Sequence, residues 1–103
     1  MAKLKIKESE IQKTILDYLR LQGYFCWRNQ TVGIFKRSTG TYIPSQNVGS
    51  PDIFCLHGEL YGIEVKSATG KLSEYQKQWR DRFEKAGGKY IVCRSLEDIQ
   101  KHL

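Results

Sequence analysis

The chain has 103 residues, long enough for one compact domain that buries roughly 65% of its unfolded surface and too short for two such domains. Its 17 Lys and Arg exceed its 11 Asp and Glu by six, a balance that favours a polyanionic partner such as nucleic acid. Cys26, Cys55 and Cys93 are odd in number and sit in apolar runs, which excludes a disulfide framework or a zinc site and suits small buried hydrophobes. No apolar stretch is long enough for a signal-peptide core or a membrane span, so a reducing cytoplasm is the expected home.

In chain order, Glu8 to Gln22 reads as an amphipathic helix, because Ile11, Ile15, Leu16, Tyr18 and Leu19 recur at three- and four-residue steps before Gly23. Tyr24 to Arg28 reads as a strand. Asn29 to Ser50 is long and polar for so small a domain, and such loops more often serve function than idle. Within it Thr31 to Lys36 and Thr41 to Ile43 can pair around Ser38, Thr39 and Gly40. Two strands follow, Asp52 to Leu56 and Leu60 to Lys66, joined at His57, Gly58 and Glu59. Ser73 with Gln76 has capping-box form ahead of a helix from Glu74 to Ala86 that carries Tyr75, Trp79 and Phe83. Lys89 to Cys93 is a further strand, and Ser95 caps a last helix from Leu96 to His102. The expected order is αβββαβα.

Asp52 and Glu64 lie in the two central strands, and a side-chain period of two puts Glu64 and Lys66 on one face with Val65 turned to the core. Antiparallel pairing of Ile53 with Ile63 and Cys55 with Tyr61 brings Asp52 opposite Glu64. A shift of one residue would split the acids between faces, against the hydrophobic pattern. Two carboxylates supply the oxygens that a hard divalent cation takes, and such a cation promotes phosphodiester hydrolysis. A lysine beside them can orient the attacking water or stabilise developing charge. Glu-x-Lys alone is a frequent tripeptide and reads first as an exposed ion pair; its spacing from Pro51 and Asp52 is what raises it.

Pro51, Asp52, Glu64 and Lys66, with 11 residues between the acids, resemble the PD-(D/E)xK nuclease pattern. The wider arrangement is more specific: a first helix opening Glu8, Ser9, Glu10, Ile11, Gln12, then Gly49 to Ile53, then Glu64 to Lys66, then Leu72 to Gln76. It resembles a VRR-NUC domain, the virus-type replication-repair nuclease family, from about Glu8 to Cys93. That resemblance implies a restriction-endonuclease-like α/β fold, a mixed central sheet flanked by helices. It further implies a stand-alone nuclease of phage or prophage type, cutting DNA with Mg²⁺ or Mn²⁺ as a homodimer on four-way junctions. By motif, Asp52, Glu64 and the Val65 carbonyl become metal ligands, Lys66 the catalytic lysine, and Gln76 an active-site contact. Gln76 is also placed as a capping residue, and one side chain is not expected to satisfy both roles fully.

Glu8 and Glu10 compete for the helix-borne acid. Glu8 is preferred as a catalytic residue that reaches the metal directly or through water, since it shares a face with Gln12; a cap formed by Ser9 and Gln12 would instead leave Glu8 outside the helix. Gln12, Arg28, Lys36, Arg37, Ser67 and Lys71 are the candidate DNA contacts. Trp27, Arg28, Phe35, Lys36, Arg37 and Tyr42 mix aromatic and basic types as a base-stacking surface would, or as a dimer interface would. His57 and His102 read as surface residues, the alternating charges of Arg80 to Lys85 as a solvated face, and Trp79 as core. No glycine-rich nucleotide cradle occurs, so no nucleotide cofactor is expected. A nicking or flap-type endonuclease, or a silent DNA-binding protein of the same fold, are the alternatives.

Overall fold

The computed structural model describes residues 6–29, 34–43 and 48–103. The elements are α1 (Glu8–Leu21), β1 (Phe25–Arg28), β2 (Ile34–Lys36), β3 (Thr41–Ile43), β4 (Ile53–His57), β5 (Glu59–Val65), α2 (Glu74–Lys85), β6 (Lys89–Cys93) and α3 (Leu96–Gln100). The seven expected elements of the main body are present within about two residues of their expected ends. The hairpin β2–β3 adds two strands and makes the full order αβββββαβα, because three residues on each side of the Arg37 to Gly40 turn suffice to pair Ile34 with Ile43 and Lys36 with Thr41. Thr31 to Gly33, expected to extend β2, lie outside the described residues.

The main sheet has the order β1-β4-β5-β6. β1 and β4, and β4 and β5, run antiparallel, whereas β5 and β6 run parallel, so the chain crosses over through α2 between them. Ile53 faces Ile63 and Cys55 faces Tyr61 across the central hairpin, the register that keeps both acids on one side. His57 pairs with Glu59 around Gly58, the odd-numbered turn which that register requires.

One face of this sheet holds the core. Ile53, Cys55, Ile63, Val65, Ile91 and Cys93 meet Ile11, Ile15, Leu16 and Leu19 of α1 and Ile99 of α3. The three- and four-residue spacing in α1 thus becomes a packed stripe, and removing a fully buried member such as Leu19 would cost about 2–5 kcal/mol. Burial pushes the Cys55 thiol up to about 11 and the Cys93 thiol up to about 12, so both behave as small apolar side chains. The hydroxyls of Tyr18 and Tyr24 both donate to the Leu103 carbonyl and tie the chain end to α1 and β1.

The opposite face is thinner. Phe54, Trp79, Phe83 and Tyr90 form an aromatic layer there, Trp79 stacking on Phe83 at a centroid distance of 4.7 Å. α2 buries none of its residues fully, so Trp79 is half-buried rather than the core residue expected of it. The physical reason is that α2 packs on β6 and reaches β4 only at Phe54, leaving the outer side of β1 and the Leu56 end of β4 uncovered, with Phe25 70% and Trp27 39% exposed. Among the described residues no helix is long and apolar enough to cross a membrane.

Candidate active site

The segment ahead of β4 is held from three directions. Asn29 donates through Nδ2 to Ser50 Oγ at 2.8 Å and to the Pro51 carbonyl at 3.0 Å, while its N–H donates to the Asp52 carbonyl at 2.8 Å. Gly49 has φ +88° and lies so close to the Tyr75 carbonyl that a Cβ would overlap it, which pins the segment to the start of α2. Gly62 does the same from β5: a Cβ there would stand 3.0 Å from Pro51 Cγ and 3.2 Å from Phe83 Cε2. Backbone fixed in this way aims the Asp52 side chain at β5, where Oδ2 accepts from the Val65 N–H at 2.8 Å.

Strand alternation puts Glu64 beneath α2 rather than in the apolar core, and it is only 3% exposed. Its Oε1 accepts from Gln76 Nε2 at 2.7 Å and lies 3.6 Å from Lys66 Nζ, whose side chain is 14% exposed. Gln76 also completes the helix cap: its Oε1 accepts from the Ser73 N–H at 2.8 Å and its own N–H donates to Ser73 Oγ at 3.2 Å. The expected conflict between the two roles therefore does not arise, because the carbonyl end of the amide serves the cap and the amino end serves Glu64.

α1 begins at Glu8 with Lys7 as its N-cap, so the alternative cap through Ser9 and Gln12 does not form. Glu8 lies in the first turn, where a carboxylate suits the helix N-terminus, and its Oε1 accepts from the Ser67 N–H at 3.2 Å. That bond carries Glu8 to the end of β5, next to Lys66; Glu10 is exposed and makes no such contact. Gly70 lies beside this contact: a Cβ there would stand 3.2 Å from Ser67 Oγ and 3.4 Å from Glu8 Oε1.

The electrostatics follow from this crowding. Burial pushes the Glu64 carboxyl up to about 8, the Asp52 charge adds to the shift, and Lys66 opposes it. Asp52 is also raised, first by burial, against the pull of the Val65 N–H and Lys66 and with a further push from Glu8. The Lys66 ammonium thus stands against Asp52 and Glu64, and Glu8 adds to the negative field on both. Glu64 Oε2 is buried without a hydrogen-bond partner among the described residues, a position that costs free energy until a proton, a water or a cation meets it. Oxygen donors with uncompensated charge fit a hard divalent cation. Among the described residues no three His, Cys, Asp or Glu side chains come close enough together to hold an ion by themselves.

The family model of the VRR-NUC domain matches residues 6–97, nearly the whole chain. The chain belongs to the VRR-NUC family. A solved structure described as a VRR_NUC domain shares the fold, with a TM-score of 0.65 over 91% of this chain and 90% of that one, at 23% identity. Comparison with curated proteins gives no match. VRR-NUC domains are nucleases of the PD-(D/E)xK type, and the elements of that pattern here are Pro51, Asp52, Glu64 and Lys66.

The remaining candidates in this VRR-NUC domain are more scattered. Gln12 is half-buried one turn along α1 from Glu8. Ser67 belongs to the turn after β5, with its Oγ accepting from the Gly70 N–H, and Lys71 is exposed just beyond. Arg28 is exposed at the end of β1. Lys36 and Arg37 are exposed on the β2–β3 hairpin, which among the described residues packs against no other helix or strand; the side chains of Phe35 and Tyr42 lie outside the described ones. Three residues carry structure that the sequence reading missed. They are Asn29, whose bonds fix Asp52; Arg94, whose Nη1 donates to the Ser67 and Gly70 carbonyls; and Tyr90, whose hydroxyl is buried beneath α2. The alternation that faces Tyr90 toward Glu64 was available in the sequence, but the parallel pairing of β5 with β6 was not.

Proposed function

We propose that this VRR-NUC domain is a divalent-metal-dependent DNA endonuclease. The observation that carries the reading is the convergence of Asp52, Glu64, Lys66, Gln76 and Glu8 at one end of the sheet. Asp52, Glu64 and the Val65 carbonyl would hold Mg²⁺ or Mn²⁺, and Glu8 would add its carboxylate directly or through water. The cation, when bound, supplies Lewis acidity toward the phosphoryl group and lowers the pKa of water. Lys66 places an ammonium beside the same carboxylates, where it orients the attacking water or meets charge that develops on the phosphoryl oxygens. Gln76 holds Glu64 in place by donating to Oε1.

The net charge of +6 supports a polyanionic substrate, with Gln12, Arg28, Lys36, Arg37, Ser67 and Lys71 as its contacts. A branched substrate, in particular a four-way junction cut by a homodimer, follows from the family resemblance. The uncovered apolar side of β1 and β4, bearing Phe25, Trp27 and Leu56, supports the dimer. The test offers four-way junction, flap, linear duplex and supercoiled DNA in Mg²⁺, Mn²⁺ or EDTA, with light scattering alongside. The expected result is paired symmetric incision of the junction by a dimer, dependent on metal. Cleavage of flap or supercoiled DNA alone would move the assignment to a nicking or flap nuclease. No cleavage of any substrate would leave a DNA-binding protein of the same fold.

A further inference from the structure

Two buried polar atoms beneath α2 lack partners among the described residues, and they are carried by neighbouring strands on the same face. One is Glu64 Oε2 and the other is the Tyr90 hydroxyl. In the parallel β5–β6 pair Gly62 faces Tyr90 and Glu64 faces Val92, so Tyr90 and Glu64 are diagonal neighbours across the ladder. Gly62 offers no side chain between them. The Tyr90 ring is held from the helix side by Trp79 at a centroid distance of 6.3 Å. Burial, and then the negative charges of Glu64 and Asp52, push the pKa of its hydroxyl upward; a phenol of even ordinary pKa carries its proton near neutral pH and can donate.

We propose that Tyr90 is a positioning residue of the nuclease centre: its hydroxyl reaches Glu64 Oε2 through one buried water and sets the orientation in which Glu64 receives a divalent cation. Each orphan supplies what the other lacks, one a donor and one an acceptor. Glu64 is then held on both oxygens, by Gln76 at Oε1 and by Tyr90, through the water, at Oε2. A carboxylate oxygen accepts twice, so the bridging water leaves a position on Oε2 for the cation. Groups that orient a metal-binding carboxylate in this way typically change metal affinity 10–100-fold when removed.

The inference rests on the metal-dependent reading of the site, and the experiment separates the two. Mn²⁺ affinity is measured by calorimetry at one pH for wild type, Tyr90→Phe and Asp52→Asn, with circular dichroism on each. Tyr90→Phe keeps the ring against Trp79 and loses only the hydroxyl, so the fold is retained. The expected result is a Kd raised about 10–100-fold in Tyr90→Phe, with kcat lowered and KM for DNA unchanged. An unchanged Kd in Tyr90→Phe beside a weakened Asp52→Asn would overturn the role of Tyr90 alone. A wild type that binds no Mn²⁺, or Asp52→Asn that binds it equally well, would overturn the metal site and with it this inference.

Discussion

Replacing Glu64 with glutamine, in the presence of a chelator, should make the domain more stable at alkaline pH. Glu64 has an ordinary pKa of 4.5 and is pushed to about 8 in the folded state, chiefly by burial and then by Asp52. Below about pH 4.5 both folded and unfolded chains hold the proton, and the stability of the neutral form is fully present. As pH rises from 4.5 to 8 the unfolded chain ionises freely while the folded chain resists, so stability falls through that window and levels off above it. At ~1.4 kcal/mol per pH unit the loss is at most about 5 kcal/mol. Relaxation and water entering the open end of the site reduce it to about 2–3 kcal/mol. Glutamine keeps an acceptor for Gln76 and does not titrate. Urea unfolding in EDTA from pH 4.5 to 9, followed by the fluorescence of Trp27 and Trp79, should show a steeper decline in wild type than in Glu64→Gln. At pH 8.5 the variant should lead by about 2–3 kcal/mol. Asp52, also raised, leaves a residual slope in both proteins. Parallel profiles, or a wild type that gains stability as pH rises, would refute the argument from a buried, uncompensated carboxylate.

Two further substitutions probe the supports of the site. Gly49→Ala places a Cβ against the Tyr75 carbonyl on backbone of positive φ and should cost at least about 2 kcal/mol in urea unfolding; a change under about 0.5 kcal/mol would mean that the segment does not pack on α2 as described. Asn29→Ala removes the Nδ2 bonds to Ser50 and Pro51 and should cost about 1–3 kcal/mol while also weakening Mn²⁺ binding. Loss of stability with unchanged Mn²⁺ affinity would show that Asn29 braces the fold without placing Asp52.

The parts of this structure legible in the sequence are those governed by local period and local pairing. Ile11, Ile15, Leu16 and Leu19 announce the buried side of α1, and matching Ile53 with Ile63 settles the register that brings Asp52 and Glu64 together. What escaped depends on contacts between distant segments or on coverage by other elements. Trp79 has the spacing of a core residue, yet α2 leans on β6 and leaves part of the sheet bare, which no helical period reveals. The two roles of Gln76 are compatible because its amide has a donor and an acceptor at opposite ends, and only the folded chain shows that Ser73 and Glu64 lie on opposite sides of it. Asn29 and Tyr90 act only through partners 21 or more residues away or on a strand whose neighbour is set by the crossover. The hairpin β2–β3 is legible as a pairing ending in Thr41 to Ile43, yet at three residues per strand it carries too little alternation to enter the expected order of elements.

The central claim is that Asp52 and Lys66 belong to a hydrolytic centre rather than to a buried ion cluster. It is tested most directly by incubating DNA with wild type, Asp52→Asn and Lys66→Ala in Mn²⁺, each variant checked for its fold by circular dichroism. The account predicts cleavage by wild type that EDTA abolishes, and a loss of at least about 100-fold in both folded variants. Cleavage at the wild-type rate by either variant would contradict it.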